Sequence, residues 1–320
     1  MNATRRCGDA AAAVPEPDVC AVVVSYRPDL ALLREVLTSV VGQVGELLLF
    51  DNATPDPAFE AFASDAHALG VSLVRSKRNV GLGAAMNHAA VHARQAGFSY
   101  LLLLDQDSRA DAHMVATLKT ALEELQRTQR VAAVGPQFQD RRNGHVAPFV
   151  RVGFPFSHKV AGGPGERIEC DFLISSGTLL SLPALDIVGL MDEGLFIDNV
   201  DLEWCFRARY SGYRLFGICD ARMSHSIGDT LHPSHWRRGG FIVHKPLRLY
   251  YIMRNRLLLY RRKETPWVWI AQDMPRVVVK FVLTALFLKP RVSYLRQMTR
   301  GLLDGLRGRM GPAPENSRPS

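Results

Sequence analysis

Two carboxylates, separated by one residue, directly follow an apolar run about a third of the way along this sequence. The run is Leu101–Leu104, and Asp105 and Asp107 follow it on either side of Gln106. Hard divalent cations take oxygen ligands, and where a cation is shared with substrate phosphates the protein usually supplies only one or two carboxylates. The pair therefore predicts a place where a divalent cation is held against a diphosphate.

A second group of acids lies at the start of a predicted helix. Within Phe196–Arg207 the acidic residues are Asp198, Asp201 and Glu203. A structural role is one interpretation, since Asp198 has the right type for an N-cap and Glu203 stands four residues before Arg207. A functional role is the other interpretation of these acids.

Two further motifs carry weaker signals. The segment Asn79–Asn87 opens a helix with Gly81 and Gly83, which suits either a tight turn or close backbone approach to a ligand. It matches neither the dinucleotide fingerprint nor the P-loop. A single histidine such as His225 is more often structural, but neutral imidazole is a common cation ligand, and Asp107 makes that role plausible.

Residues 20–135 alternate short β-rich runs with helical patterns, and the runs are continuously apolar. This predicts an α/β fold with a mostly parallel sheet covered by helices on both faces. The predicted strands are 21–25, 46–50, 71–74, 100–104 and 131–134, and the predicted helices are 30–41, 56–69, 83–95 and 112–126.

Polar residues follow the first four of these strands. They are Ser25, Asp51, Asn79 and Asp105, each at or shortly after a strand's carboxyl end. Ligands of such sheets bind beyond the carboxyl ends of the strands, so one crevice should collect all four. After a predicted loop or lid at 138–167, a helix over 201–210 and a strand over 213–218 are expected.

Length and composition set limits on the class of protein. A chain of 320 residues can form one large α/β domain or a domain with an appendage. A mean hydropathy of −0.01 argues against a polytopic membrane protein. The five cysteines are scattered, which is typical of reduced thiols in the cytoplasm. Residues 1–18 lack the apolar core of a signal peptide, so they and residues 311–320 are interpreted as flexible ends.

The carboxy-terminal region differs from the rest. Residues 237–310 hold 17 Lys and Arg against three acids, interleaved with Trp, Phe and Leu, and contain no apolar run of about 20 residues. Such a basic, amphipathic helical region could lie on an anionic membrane or pack on the catalytic domain, and the sequence leaves both open. Nucleic-acid binding is disfavoured because no recognised motif accompanies the charge.

In combination and in this order, the motifs resemble glycosyltransferase family 2, the inverting enzymes of the GT-A fold. Within it they look most like bacterial rhamnosyltransferases that use dTDP-L-rhamnose, with galactofuranosyltransferases as near relatives. The resemblance runs from about residue 19 to 225, with a looser echo in Tyr250–Tyr251 and Arg254–Asn255, and implies a GT-A domain over 19–236. The matching segments are Val22–Pro28, Asp51–Asn52, Asn79–Asn87, Leu104–Ser108, Ser175–Gly177, Asp198–Arg207 and Gly212–Tyr213.

The resemblance also implies roles for individual residues. Asp51 would hold the pyrimidine and Asp105 the ribose, while Asp107 and His225 would bind Mg²⁺ or Mn²⁺. Asp201 would be the general base, although Val200 replaces the acid that commonly precedes it, which leaves Asp198 as the alternative. The remaining nucleotide contacts would be Ser25, Asn79 and Gly81, and the acceptor contacts Ser176, Gly177, Glu203 and Trp204.

The function so implied is transfer of L-rhamnose to a saccharide, free or linked to a polyprenyl diphosphate, in cell-envelope polysaccharide synthesis. The enzyme would work at the inner face of the plasma membrane. A sugar nucleotidyltransferase is an alternative, but Ser25–Pro28 stands where those enzymes carry a Gly-rich basic loop. A non-catalytic membrane-associated binding protein is disfavoured because the carboxylates for cation and base are present.

Overall fold

The structure is a computed structural model that describes residues 14–140, 144, 146–225, 230–232 and 241–314. At 140, 225, 230–232 and 241–243 it describes the backbone alone.

Within these ranges the chain alternates strands and helices as far as α4 and ends in three helices. The α-helices are α1 Leu30–Val40, α2 Ala58–Ala68, α3 Leu82–Gln95, α4 Met114–Gln126, α5 Leu182–Val188, α6 Val200–Tyr210, α7 Pro246–Leu259, α8 Trp267–Phe287 and α9 Arg291–Leu306. The strands are β1 Glu16–Ser25, β2 Val44–Asp51, β3 Val71–Arg75, β4 Tyr100–Asp105, β5 Ser108–Ala110, β6 Val131–Asp140, β7 Phe149–Arg151, β8 His158–Val160, β9 Arg167–Cys170, β10 Leu179–Ser181, β11 Arg214–His225, β12 Thr230–His232 and β13 Phe241–Val243.

One large sheet organises the molecule, in the order β3-β2-β1-β4-β10-β6-β11-β5, with β9 also paired to β11. The neighbours among β3, β2, β1 and β4 are parallel, as are β6 and β11. Strand β10 runs antiparallel between β4 and β6. The α/β prediction with helices on both faces is therefore confirmed, and the parallel part puts the ends of β1, β2 and β4 at one edge.

Residues of β1 alternate between two hydrophobic cores. Val19, Ala21 and Val23 belong to the core that includes α1, α2 and α4. Cys20 and Val22 belong to the core that includes α3 and α6. Because successive side chains of a strand point to opposite faces, an all-apolar strand requires cover on both sides. This burial of both faces explains why the strands appear in the sequence as continuously apolar runs.

The prediction of a loop over 138–167 was wrong in part. Strand β6 continues to Asp140, and β7 pairs with β8 as a short antiparallel hairpin. These elements are only three residues long apart from β6, so their periodicity is too short to read from sequence. The hairpin contributes Phe149 and Val150 to the wall of the cavity described below.

The three carboxy-terminal helices pack on one another and on the α/β domain. Trp269 of α8 stacks edge-on against Phe206 of α6 at a centroid distance of 5.3 Å, and Arg262 pairs with Asp192 and Glu203. Among the described helices, none combines the length and apolar character needed to cross a bilayer. The four cysteines in the described ranges are buried and free.

Candidate active site

A cavity of about 620 Å³ opens at the carboxyl edge of the parallel strands. The ends of β1 and β4, the loop before α3 and the loop before α6 form its wall, and Arg248 of α7 closes one side. Asp105, Asp107, Asp198 and Asp201 all line it. The two acidic groups, almost a hundred residues apart in sequence, therefore face one space.

Backbone and hydroxyl contacts fix the turn that carries the first acid pair. Asp105 N–H donates to Ser176 Oγ at 3.1 Å, and that hydroxyl donates to Ser108 Oγ at 2.5 Å. Gln106 Oε1 accepts from Tyr26 N–H at 2.8 Å, which joins the ends of β4 and β1. The turn is thus held from both neighbouring segments.

The acids of the cavity act on one another electrostatically. Burial raises the pKa of Asp105 to about 7, assisted by the charges of Asp107 and Asp201, while Arg248 opposes the rise. Like charges that share a site disfavour ionisation in this way. The cavity is therefore a place where additional positive charge would be stabilising.

This donor set fits a divalent cation shared with phosphate oxygens. In the ranges with described side chains, no three His, Cys, Asp or Glu gather closely enough to hold an ion by themselves. Magnesium sites of nucleotide-dependent enzymes need only one or two carboxylates, the remaining ligands being phosphate and water. Asp107 meets that requirement, with the mutual repulsion around Asp105 as the supporting observation.

The side chain of His225 lies outside the description, but its backbone position is known. In the β11–β5 pairing His225 stands opposite Ser108, the residue after Asp107. The strand pairing thus brings the predicted histidine to the same edge as the predicted carboxylate.

The wall near β1 contains a polar atom that lacks a partner. Ser25 is fully buried, and its Oγ has no hydrogen-bond partner among the described residues. Asn52 Oδ1 accepts from Val80 N–H at 2.7 Å, and Asn79 Oδ1 accepts from Gly81 N–H at 2.9 Å. These contacts hold the glycine loop as a fixed wall against which Ser25 can receive a ligand.

Gly81 is required by its backbone and by its neighbour. Its φ is +88°, and a Cβ there would come within 2.6 Å of Phe196 O. The following Leu82 N–H donates to that same carbonyl at 2.6 Å. The glycine therefore allows the loop before α3 to approach the loop before α6 closely.

The nucleotide-binding role expected of Asp51 stays a prediction. Its side chain is only 1% exposed and is not part of the cavity lining. Oδ1 accepts from Thr54 N–H at 3.1 Å, and Oδ2 lies 3.4 Å from Arg75 Nε. The next residue, Asn52, lines the cavity in its place.

The loop before α6 has a strained backbone. Phe196, Asp198 and Asn199 have φ values of +66°, +60° and +62°, a region that residues other than glycine adopt rarely. Strain of this kind persists only where the surroundings enforce it. The loop is therefore held by contacts from elsewhere in the chain.

Two buried residues of α7 supply those contacts. Asn255 Nδ2 donates to the carbonyls of Leu195, Ile197 and Asp198 at 2.8–2.9 Å. Arg254 donates to Leu195 O at 2.9 Å and, through Nε, to Asn255 Oδ1 at 2.9 Å. The carboxy-terminal region thus shapes the active-site loop directly.

The two candidate bases differ in their partners. Arg248 binds Asp198 through both Nε and Nη2 at 3.1–3.2 Å. Among the described residues, Asp201 has no cationic partner and accepts backbone N–H groups, from Ser175 at 3.2 Å and from Leu202 at 2.8 Å. Burial raises the pKa of Asp201, and the charge of Asp198 adds to the rise. A carboxylate without a cationic partner and with a raised pKa is the better proton acceptor.

The four residues expected to contact the acceptor do not line the cavity, and their role stays a prediction. Glu203 is 1% exposed and pairs with Arg207 at 2.7 Å and with Arg262. Trp204 is in the core and donates to Gly189 O at 3.0 Å. Both lie on the side of α6 that faces the protein interior.

Ser176 and Gly177 are beneath the site rather than in its wall. Ser176 is fully buried and supports Asp105, as described above. Gly177 has a φ of +80°, and a Cβ there would meet Pro136 at 2.6 Å. The neighbour that does line the cavity is Ser175.

Sequence reasoning missed Arg248, and it noted Arg254 and Asn255 only as a looser echo of the family pattern, without a role. All three lie in the basic carboxy-terminal region. A basic residue that pairs with an active-site acid some 50 positions away leaves no local pattern, so nothing in the sequence identified Arg248.

Comparison with known proteins agrees with this architecture. A sequence model of the family described as Glycosyl transferase family 2 matches residues 20–175. The chain is 30% identical over 303 residues to dTDP-rhamnosyl transferase RfbF of Shigella flexneri, covering 94% of this chain and 99% of that protein.

Solved structures with a similar fold include two that contain a bound nucleotide or sugar nucleotide. S. aureus TarS 1-349 in complex with UDP-GlcNAc superposes with a TM-score of 0.55 at 16% identity, covering 93% of this chain and 82% of that one. GalNAc-T7 with UDP, GalNAc and Mn²⁺ gives a TM-score of 0.55 at 14% identity, covering 88% and 54%. The chain spans about half the length of a longer TarS chain that it also matches. At these identities the similarity establishes the GT-A-like fold.

Proposed function

The chain belongs to glycosyltransferase family 2, and on this premise we propose that it transfers L-rhamnose from dTDP-L-rhamnose to a hydroxyl group of a saccharide, with inversion. The observation that carries the proposal is that Asp107 and Asp201 line one cavity. The name of the 30% identical relative supports the choice of donor. Membership of a glycosyltransferase family also argues against the alternative of a sugar nucleotidyltransferase.

The donor would lie along the carboxyl edge of β1 and β4. Ser25, Asn79 and Gly81 would contact the nucleotide and Asp105 the ribose, and all four line the cavity. Asp107, together with His225, would hold Mg²⁺ or Mn²⁺. When bound, the cation supplies positive charge that stabilises the departing diphosphate.

Asp201 would act as the general base. Its buried carboxylate accepts the proton of the acceptor hydroxyl as the oxygen attacks the anomeric carbon, and the nucleotide diphosphate leaves from the opposite side. One such displacement inverts the configuration. Asp198 would instead orient the loop, because both of its oxygens are bound by Arg248.

A panel of sugar nucleotides tests the donor and the cation together. We expect transfer from dTDP-L-rhamnose to exceed transfer from UDP-GlcNAc, UDP-galactofuranose and GDP-mannose, and we expect EDTA to abolish it until Mg²⁺ or Mn²⁺ is restored. Product formation is followed by mass spectrometry, and NMR reports the anomeric configuration. Preference for UDP-galactofuranose, or full activity in EDTA, would contradict this part of the proposal.

We further propose that the enzyme acts at the inner face of the plasma membrane, on a saccharide carried by a polyprenyl diphosphate during cell-envelope polysaccharide synthesis. Helix α8 supports this, since a row of its apolar side chains faces outward while its acid, Asp273, faces inward. Asp273 is buried, whereas Val278, Val282 and Leu286 are 58%, 46% and 54% exposed. A helix of a water-exposed surface normally has the opposite arrangement. An outward apolar face among basic residues suits an anionic lipid interface.

Substitutions on this face test membrane association. Val278→Ser/Val282→Ser should weaken binding to phosphatidylglycerol-containing vesicles about tenfold or more, because the variant lacks two aliphatic groups that the lipid would bury. Vesicle sedimentation measures the effect. The control is Leu69→Ser/Ile187→Ser, which removes two exposed apolar side chains from the α/β domain. Equal vesicle binding by both variants would contradict membrane docking through α8.

A further inference from the structure

We propose that a second pocket, between the loop before α6 and helix α8, binds the diphosphate group of a lipid-linked acceptor. This basic pocket has a volume of about 430 Å³. The inference deepens the proposed function and rests on it, since it concerns the acceptor side of the same reaction. The residues that define the basic pocket here are Asp201, Arg256, Trp269, Arg276, Val277 and Lys280.

Asp201 stands at the boundary between the basic pocket and the donor cavity. Both spaces are lined by Asp201, Asp198 and Asn199. A general base must contact the acceptor hydroxyl, and the donor occupies the first space under the proposed function. The basic pocket is therefore the route by which the acceptor reaches Asp201.

Three cations and three acids line the basic pocket, and two of the acids are already paired. Of its acids, Asp198 is bound by Arg248, and Asp273 is shared by Arg256 and Tyr260. Arg276 and Lys280 lie one helical turn apart and form no hydrogen bond or ion pair with any residue in the described ranges. Two cations without partners thus face a pocket that contains the proposed base.

Further atoms in the basic pocket also lack an anionic partner. Arg256 Nε is buried and has no hydrogen-bond partner within the described part of the chain. Burial, and then the charges of Arg256 and Arg248, lower the pKa of Lys280 to about 8, against the effect of Asp198. A bound anion would give Arg256 Nε a hydrogen-bond partner and would stabilise the charged form of Lys280. A multiply charged phosphate group suits such a cluster, because charge-assisted hydrogen bonds to phosphate are strong.

The position of the basic pocket favours a lipid diphosphate over a free anionic sugar. Arg276, which is exposed, and Lys280, which is half-buried, line the pocket from α8, and the same helix carries the exposed apolar face. An acceptor bound here would place its saccharide at Asp201, its diphosphate on the cations and its prenyl chain toward α8. Trp269 and Val277 add apolar wall to the same pocket.

The test uses farnesyl diphosphate as a short probe and measures its binding by calorimetry with dTDP and Mg²⁺ saturating the donor cavity. We expect the wild-type chain to bind farnesyl diphosphate and not farnesol. Arg276→Gln/Lys280→Gln should weaken binding about tenfold to a hundredfold, the usual range for lost hydrogen bonds to a charged group. The thermal midpoint should be unchanged, because neither side chain has an internal partner within the described ranges.

A charge-matched control is available on α9. Arg296→Gln/Arg300→Gln also removes two cations four residues apart, from a helix of the same region but outside the basic pocket. This variant should bind farnesyl diphosphate like the wild type. Glucuronate serves as the probe for an acidic saccharide and should bind more weakly than farnesyl diphosphate.

The outcomes separate this inference from the proposed function. If both double variants bind farnesyl diphosphate equally, if farnesol binds as well, if glucuronate binds more tightly, or if the wild type binds no probe, the basic pocket is not a diphosphate site. Rhamnosyl transfer and dTDP binding can persist in each of these cases. Conversely, probe binding that depends on Arg276 and Lys280 in a chain that uses no sugar nucleotide would sustain the site and refute the function.

Discussion

Replacing Asp201 by Asn should reduce sugar transfer by about 10²- to 10⁴-fold, the usual contribution of a general base, while dTDP binds as before. The amide can still accept one of the two backbone hydrogen bonds, from Ser175 or from Leu202, so the chain should fold. Transfer is measured by product formation, and dTDP binding by calorimetry. Near-normal turnover of the variant would refute the assignment of the base.

The control for this prediction is Asp198→Asn. Asp198 is bound by Arg248, so its substitution should loosen the loop and lower the thermal midpoint while leaving more transfer than Asp201→Asn does. A pH profile adds a second distinction. The wild-type rate should fall as pH falls through the raised pKa of Asp201, because the protonated carboxyl cannot accept a proton. Asp201→Asn should lack this inflection.

The second large effect is expected at Asn255, far from the chemistry in sequence. Asn255→Asp keeps the size and shape of the side chain but removes the donors to Leu195, Ile197 and Asp198 and places a negative charge against their carbonyls. Lost partners of buried polar groups cost about 2 to 5 kcal/mol of unfolding free energy at a site of this kind. We expect that loss together with a fall in kcat, measured by denaturant unfolding and by rhamnosyl transfer.

Asn255→Leu provides the comparison that isolates the hydrogen bonds. It removes the same amide donor group without adding charge, and it also removes the acceptor of Arg254 Nε, so it should destabilise the chain and impair transfer in the same direction. If Asn255→Asp is as stable and active as the wild type, the strained loop does not depend on α7. The positive φ values of Phe196, Asp198 and Asn199 would then need another explanation.

Much of the α/β domain could be predicted because its signals are local. An apolar run such as Leu101–Leu104 requires burial on both faces, and a carboxylate that follows it must emerge at the sheet edge. Asp105 and Asp107 were placed by this reasoning, and the structure puts both in the cavity. The separate acidic motif ending at Asp201 could be matched by family resemblance, which carries residue types and their order.

Glu203 and Trp204 do not line the cavity, and the reason is geometric. Both stand within three residues of Asp201, but a helix turns by about 100° per residue, so neighbours in sequence point in different directions. Glu203 meets Arg207 and Arg262 in the interior, and Trp204 enters the core. The sequence identified the helix but could not show which of its sides faces the cavity.

The amino-acid sequence by itself determined the strand and helix pattern, the edge at which the acids gather and the family to which the chain belongs, because these depend on periodicity and on short motifs. Only the tertiary structure decided that Arg248 binds Asp198 and leaves Asp201 without a cationic partner, and that Asn255 holds a strained loop. These contacts join residues 50 or more positions apart. Their formation depends on how packed helices orient individual side chains, and no local pattern records that orientation.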